Sequence, residues 1–314
     1  MATTKAAARA SAPARLSSVP LQAYVLHSYD WSETSLIVEL FTRSQGRVVV
    51  AAKGAKRPTS QLRSVLLPFQ PVQVLLGKTP ADAQAEILNL RSAEWTGGSP
   101  LLGAAALLPG FYMNELLLKL LARQDAHPAL FDIYADTLRA LALGEPEGPA
   151  LRAFEISLLQ ELGWLPDLAQ QTQTAQPLQA QARYQLHVEG GLQTASQDGL
   201  AGKAWTGLAA ALLHGAPAAL RAACTPVAAG LRAPLRSLLQ YHLGHTPLRT
   251  RQVWQGMQQL AELLPAVAGS PMTSFATASA PSASTSASTS APTDAVTSDC
   301  TSPSIRPSTA FDSR

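Results

Sequence analysis

The hydrophobic period of the chain changes once, and that change limits the folds open to it. Over residues 20–90 the apolar residues come in short runs that are β-branched or Leu-rich: "PLQAYVLHS" (20–28), "SLIVELFT" (35–42), "RVVVAA" (47–52), "PVQVLLG" (71–77) and "QAEILNL" (84–90). Asp30-Trp31-Ser32, Gln45-Gly46, Gly54 and Pro80 separate them, as turn residues do between strands. Five short strands in so little chain suit a small Greek-key barrel, most commonly an oligonucleotide-binding (OB) fold. An SH3-like barrel fits the same pattern.

After residue 100 the repeat is helical. "PGFYMNELLLKLLARQD" puts Tyr112, Leu116 and Leu120 on one stripe, with Met113, Leu117 and Leu121 beside it. "LFDIYADTLRALALG" stops at Gly144, and "PALRAFEISLLQELGW" repeats apolar contacts at Leu151, Phe154, Leu158 and Leu162 before Gly163. Further helices are expected over 205–215 and 231–244. Thr246-Pro247 reads as an N-cap with proline at the first position of a last helix. Between them "ARYQLHVEGGLQTASQDG" (182–199) reads as a hairpin turning at Gly190-Gly191. The expected fold is therefore α+β. An N-terminal five-stranded OB-fold β-barrel (19–96) precedes a mainly helical domain (97–266) with a small β-hairpin near 182–199.

The ends read differently. Residues 1–18 are Ala/Ser-rich, with Lys5, Arg9 and Arg15 and no apolar helical face, so a solvated, disordered tail is expected rather than a transit peptide. Residues 267–314 are dominated by Ser, Thr, Ala and Pro. Such a composition cannot bury enough surface to offset the entropy of ordering it. The longest apolar run, "LLGAAALLPG", is too short to span a bilayer. No membrane association is expected.

Charge is modest in total, net +3 over 314 residues, but it is concentrated. Between Glu39 and Asp82 there is no acidic residue, while Arg43, Arg47, Lys53, Lys56, Arg57, Arg63 and Lys78 fall in the same stretch. Most solvated faces mix both signs, and this one does not, which points to a polyanion. A groove of Lys and Arg would hold phosphates while bases rest on aromatics. Tyr24, Tyr29, Trp31, Phe41 and Phe69 lie nearby, although Phe41 and Phe69 suit the barrel core better. Five cations on a single strand would give a log–log salt slope of roughly −3.5. Nothing suggests reading of base edges, so binding without sequence preference is expected.

No catalytic constellation is evident, and neither metal nor cofactor is expected. "LLGKT" (75–79) ends like a phosphate-binding loop, but Val72 stands where its first glycine should be. His242 and His245 have no third ligand. Cys224 has no histidine beside it and reads as a buried structural thiol. A nuclease would need clustered carboxylates for metal-assisted hydrolysis, and the basic stretch has none. With only two cysteines there is no disulfide framework, which fits a reducing, cytoplasmic compartment.

"VLHSYDWSETSLIVELFTRSQGRVVVAAKGAKRP", "LRSVLLPFQPV" and "LNLRSAEW" together resemble the N-terminal domain of the bacterial RecO recombination-mediator family. The likeness continues through "FYMNELLLKLL", "LRAFEISLLQELGW" and "LGHTPLRTRQVW", spanning roughly 19–260. It implies an OB-fold, a helical domain and an activity that is not enzymatic. Such proteins bind single- and double-stranded DNA, anneal complementary strands, and engage the single-strand-binding protein. With RecR they help load RecA. An acidic tail of the single-strand-binding protein would meet an apolar stripe beside an arginine; Tyr112, Leu116, Phe131, Leu151, Arg152 and Phe154 suit it. Arg249 and Arg251 would face DNA or RecR. Some members carry a four-cysteine zinc site, but residues 166–192 hold no cysteine here, so zinc is not implied and the hairpin is what remains of that module. The reading that stands beside this one is an RNA-binding OB protein, since a basic barrel does not by itself distinguish RNA from DNA.

Overall fold

A computed structural model describes residues 19–77 and 87–268. The expected tails, Lys78 and the first part of the fifth strand lie outside the described residues. Residues up to Pro265 form one compact unit; of the second, Ala266–Arg314, only 266–268 are described.

Strands β1 (Leu21–Asp30), β2 (Leu36–Thr42), β3 (Gly46–Ala52), β4 (Pro71–Leu76) and β5 (Ile87–Trp95) form a closed barrel in the order β1-β2-β3-β5-β4. The β3–β5 pairing is parallel and the other neighbours are antiparallel. This is the expected OB-fold barrel. A short helix, α1 (Leu62–Val65), sits between β3 and β4, and Leu62, Val65 and Leu66 pack against the barrel core.

Alternation along the strands sorts two cores. Ala23, Val25, Val38, Leu40, Val48 and Val50 point into the barrel, whereas Tyr24, Leu26, Phe41 and Phe69 join the core of the helical region. Phe41 and Phe69 are therefore not barrel core, as the strand pattern suggests, but the joint between barrel and helices. Phe131 packs 5.4 Å from both Tyr24 and Phe41. Phe69 has φ 68° and lies so close to Gly110 that a Cβ there would come within 2.9 Å of its ring. Only glycine fits.

The helical region contains α2 (Ala104–Leu120), α3 (Pro128–Ala142), α4 (Glu147–Glu161), α5 (Gly202–His214), α6 (Pro217–Cys224), α7 (Ala228–Leu243) and α8 (Arg249–Ala268). Helix α2 begins five residues before Pro109, which sits inside it and removes one internal hydrogen bond without ending it. Helix α4 is buried on every side from Ala150 to Leu159, as expected for a helix at the centre of a domain. The expected hairpin is present as β6 (Arg183–His187) and β7 (Gly191–Thr194), with β8 (Leu200–Ala201) added on the far edge of β6.

One buried polar link, braced by a second hydrogen bond between α3 and α2, locks barrel to helices. The Asn114 amide donates to the Leu26 carbonyl (3.0 Å) and its oxygen accepts from the Tyr134 hydroxyl (2.6 Å). At the β2–β3 turn, Gly46 has φ 66°, and a Cβ would lie 1.6 Å from the Asp125 carbonyl oxygen.

Helix α8 is capped from a distance. Thr246 does not supply the cap; the Glu115 carboxylate on α2 accepts from the Arg249 and Thr250 amides (2.8 and 3.0 Å) and from the Thr250 hydroxyl (2.7 Å). A carboxylate at a helix N-terminus satisfies orphan donors and complements the dipole. Burial acts against its charge, but the hydrogen bonds from Thr250, Arg249 and Lys119 win and hold its pKa below the usual carboxylate value. The helix also runs to Ala268, so residues 267 and 268 are helical rather than tail.

Candidate nucleic-acid interface and arginine-lined cleft

The cations of the basic stretch fall at opposite ends of the barrel. Strand β3 separates Arg47 from Lys53 by six residues, or about 20 Å at strand rise. At the β2–β3 turn, Arg43 makes a two-pronged ion pair with Asp132 on α3, both contacts 2.9 Å. Arg47 lies 3.5 Å from Glu39, both largely buried, and Arg123 reaches the same carboxylate at 3.4 Å. These charges fasten barrel to helices.

The other end differs. Lys56 donates to the Ser32 carbonyl and pairs with Asp30, both at 3.1 Å, tying the β1–β2 loop to the loop after β3. Lys53, Arg57 and Arg63 are exposed, and among the described residues their side chains make no hydrogen bond or ion pair. Beside the Lys56 tie stand Tyr29 and Trp31, 47% and 57% exposed. Of the five candidate stacking aromatics, these two alone are open; Tyr24, Phe41 and Phe69 are buried. Point charges around exposed ring faces suit a flexible polyanion.

A second site opens in the helical region. A cleft of about 580 Å³ lies between α2, α4, α7 and α8. Its floor is Tyr112, Arg152 and Glu155; the Glu155 carboxylate accepts from the Tyr112 hydroxyl at 2.7 Å and from Arg152 at 2.5 Å. Its rim carries Arg232 and Arg236 from α7 and Arg251 from α8, with Leu239, Leu243, Leu248 and Trp254 as apolar wall. Burial pushes Glu155 up to about 7, against the pull of Arg152, Tyr112 and Arg232. Arg152 Nε and Glu155 Oε2 are buried without a hydrogen-bond partner.

Family models described as "Recombination protein O N terminal" and "Recombination protein O C terminal" match residues 16–97 and 104–252. The chain is 51% identical over 245 residues to the DNA repair protein RecO of Verminephrobacter eiseniae (strain EF01-2), covering 76% of this chain and 96% of that one. It is 51% identical over 255 residues to that of Acidovorax ebreus (strain TPSY) and 50% over 252 to that of Variovorax paradoxus (strain S110), with the same coverage. The chain belongs to the RecO family of DNA repair proteins.

In this RecO-family chain only part of the predicted peptide stripe reaches the cleft. Tyr112, Leu151 and Arg152 line it. Leu116 and Phe154 are fully enclosed, and Phe131 packs against the barrel aromatics, so these three are core. Arg232, Arg236 and Trp254 were not singled out from the sequence. Their signal was present: Arg232, Arg236 and Gln240 recur every four residues along α7, and Arg251, Trp254, Gln255 and Gln258 share one face of α8. Arg249 instead lies at the helix start capped by Glu115.

The remaining candidates are accounted for by packing. His242 stacks on Trp164 at 3.9 Å and 7° between planes, and burial lowers its pKa. Burial pushes the Cys224 thiol up to about 12, so it is not a thiolate at neutral pH. Among the described residues, no group of three or more His, Cys, Asp or Glu side chains is placed to hold a metal, and no helix is long and apolar enough to cross a membrane.

Proposed function

We propose that this chain is a DNA repair and recombination mediator that works by binding alone, without catalysis. It binds single- and double-stranded DNA through the far end of the barrel, without sequence preference, and anneals complementary strands. With RecR it helps load RecA on DNA coated with single-strand-binding protein, in the bacterial cytoplasm. The observation that carries this reading is the trio Lys53, Arg57 and Arg63, exposed and unengaged on the segment after β3, which Lys56 ties to the loop holding Tyr29 and Trp31. Cations without internal partners can neutralise phosphates of two strands at once and so lower the repulsion that opposes pairing. Trp31 and Tyr29 offer stacking faces that tolerate any base.

The RecO cleft takes the acidic tail of the single-strand-binding protein in this reading. Arg232, Arg236 and Arg251 meet its carboxylates, and the apolar wall meets its terminal aromatic side chain. Arg152 contributes less directly than the sequence suggests, because Glu155 already holds it.

With Lys56 included, four cations on a single strand correspond to a log–log salt slope of roughly −3. A strand-annealing assay on DNA coated with single-strand-binding protein tests the whole reading. Acceleration by the wild-type chain, lost on reversing Lys53, Arg57 and Arg63, is the expected result. Annealing indifferent to those residues rejects the barrel end as the contact surface. Acceleration on bare DNA but not on coated DNA rejects the mediator role.

A further inference from the structure

The outer face of α8 carries an apolar seam that the described residues leave open. Val253, Met257 and Leu260 are 54%, 57% and 62% exposed, although side chains of these types are most often buried. They recur at steps of four and three, and the sequence continues the alternation at Leu264 and Val267. The α8 residues that line the cleft, Arg251, Trp254, Gln255 and Gln258, take the other side of the helix. We infer that this seam pairs with α8 of a second copy of the chain, antiparallel, in a weak two-fold dimer. The inference rests neither on the cleft reading nor on the DNA reading.

Three observations choose that occupant. The first is spacing. A helix face that packs on a globular core is broad, whereas alternating steps of four and three make the narrow seam by which one helix meets another. The seam also lies past residue 252, where the matched C-terminal family model stops, so it belongs to the last helix rather than to the matched domain.

The second is charge. Between Arg251 and Glu262 the helix has no charged residue, so a copy laid along it meets no like charge there. Arg249 is exposed and flanks the seam, four residues before Val253. In a parallel pair it would face its own copy. Antiparallel pairing sets it beside the partner's carboxyl end, where the helix dipole is negative. A patch that complements itself in this way satisfies two-fold symmetry.

The third is extent. Three half-open side chains a copy fall well short of the roughly 800 Å² a partner that a stable interface takes. The pair is therefore transient, with a dissociation constant on the order of 100 µM. Pairing would bring the exposed Lys53, Arg57 and Arg63 of two copies into one particle.

The test is sedimentation equilibrium of the full chain from well below to well above that constant, where a reversible monomer–dimer equilibrium is expected. Met257→Glu, at an exposed position, places two like charges in the seam. It should weaken pairing by about tenfold or more and leave the unfolding transition in place. Met257→Lys should do the same alone, and an equal mixture of the two variants should pair again. Nitroxide labels at Gln259→Cys, in a Cys300→Ser background, should lie closer across the dimer than labels at Gln252→Cys by about 5–10 Å, because only the former sits near the crossing point of antiparallel helices.

A monomer at every concentration overturns the inference and leaves the seam to a foreign helix or to residues 269–314. Association that Met257→Glu does not weaken, or that the mixture does not restore, places the contact elsewhere and overturns it too. Equal label distances at the two positions overturn the antiparallel pair.

Discussion

The two ends of the β2–β3 ladder draw their cations from one acid-free stretch of sequence and use them in opposite ways. At the turn, Arg43 is held by Asp132, which joins the barrel to α3, and Arg47 by Glu39, which joins β3 to β2. At the far end Lys53, Arg57 and Arg63 have no such partner among the described residues. The difference teaches that a positive patch is defined by the anions that reach it, not by the cations that compose it. The cleft repeats the contrast, with Arg152 engaged by Glu155 beneath a rim of Arg232, Arg236 and Arg251, whose side chains make no hydrogen bond or ion pair among the described residues.

Breaking the engaged end should show in stability. Arg47→Ala leaves Glu39 buried with only Arg123 nearby, a loss of about 3 kcal/mol for a broken buried pair. Chemical denaturation should register it, while oligonucleotide affinity measured on folded protein stays the same. A large loss of affinity without a loss of stability would invert the comparison.

At the free end the effects should be reversed. Changing Lys53, Arg57 and Arg63 together to Glu should weaken single-stranded DNA binding by roughly a hundredfold at low salt and flatten the log–log salt slope by roughly 2. The unfolding transition should hardly move. An unchanged slope would remove these residues from the interface.

The cleft adds a dependence on pH. Because the folded-state pKa of Glu155 is raised to about 7 from 4.5, the folded chain binds the extra proton, and the stability this group contributes falls as pH rises from 4.5 through about 7. Ionisation also places a buried negative charge under the bound carboxylates. Peptide affinity should therefore drop several-fold between pH 6 and pH 8, since one pKa unit corresponds to about 1.4 kcal/mol. Titration of binding in wild type and in Glu155→Gln checks this. The Gln variant keeps an acceptor for Arg152 and should be flat across that window; a surviving pH slope would pass the effect to Glu147, which also lines the cleft and whose pKa burial raises.

The smallest change is expected at Arg43. Its pair with Asp132 is half exposed on both sides, 49% and 53%, so Arg43→Ala should hardly move the unfolding transition. A larger loss in denaturation would mean that this surface pair does more than trim the joint.

What the sequence disclosed follows from the range of each interaction. The period-two runs located the barrel strands because alternation is local, and the apolar repeat at Leu151, Phe154 and Leu158 located α4, though not the burial of Arg152 and Glu155 on it. Alternation says that Tyr24 and Phe41 face away from Val25 and Leu40, but not what covers them; that depended on Phe131, far along the chain. The four-residue α1 is too short to show a period. Counting charge in a window failed at Arg43 for the same reason, its partner being 89 residues away. Likewise the cap of α8 came from Glu115, 134 residues before Arg249, where neighbouring Thr246 had the right chemistry and the wrong position. The rim of the cleft was legible as arginines on one helix face, but its closure by α8 was not.

The long-distance cap on α8 has a consequence for how the hollow behaves. Glu115 keeps its charge to lower pH than an ordinary carboxylate, whereas Glu155 has already taken up a proton at mild acidity. Between roughly pH 4.5 and 7 the bolt on one side therefore stays fastened while the base turns neutral. The chamber changes polarity without changing shape.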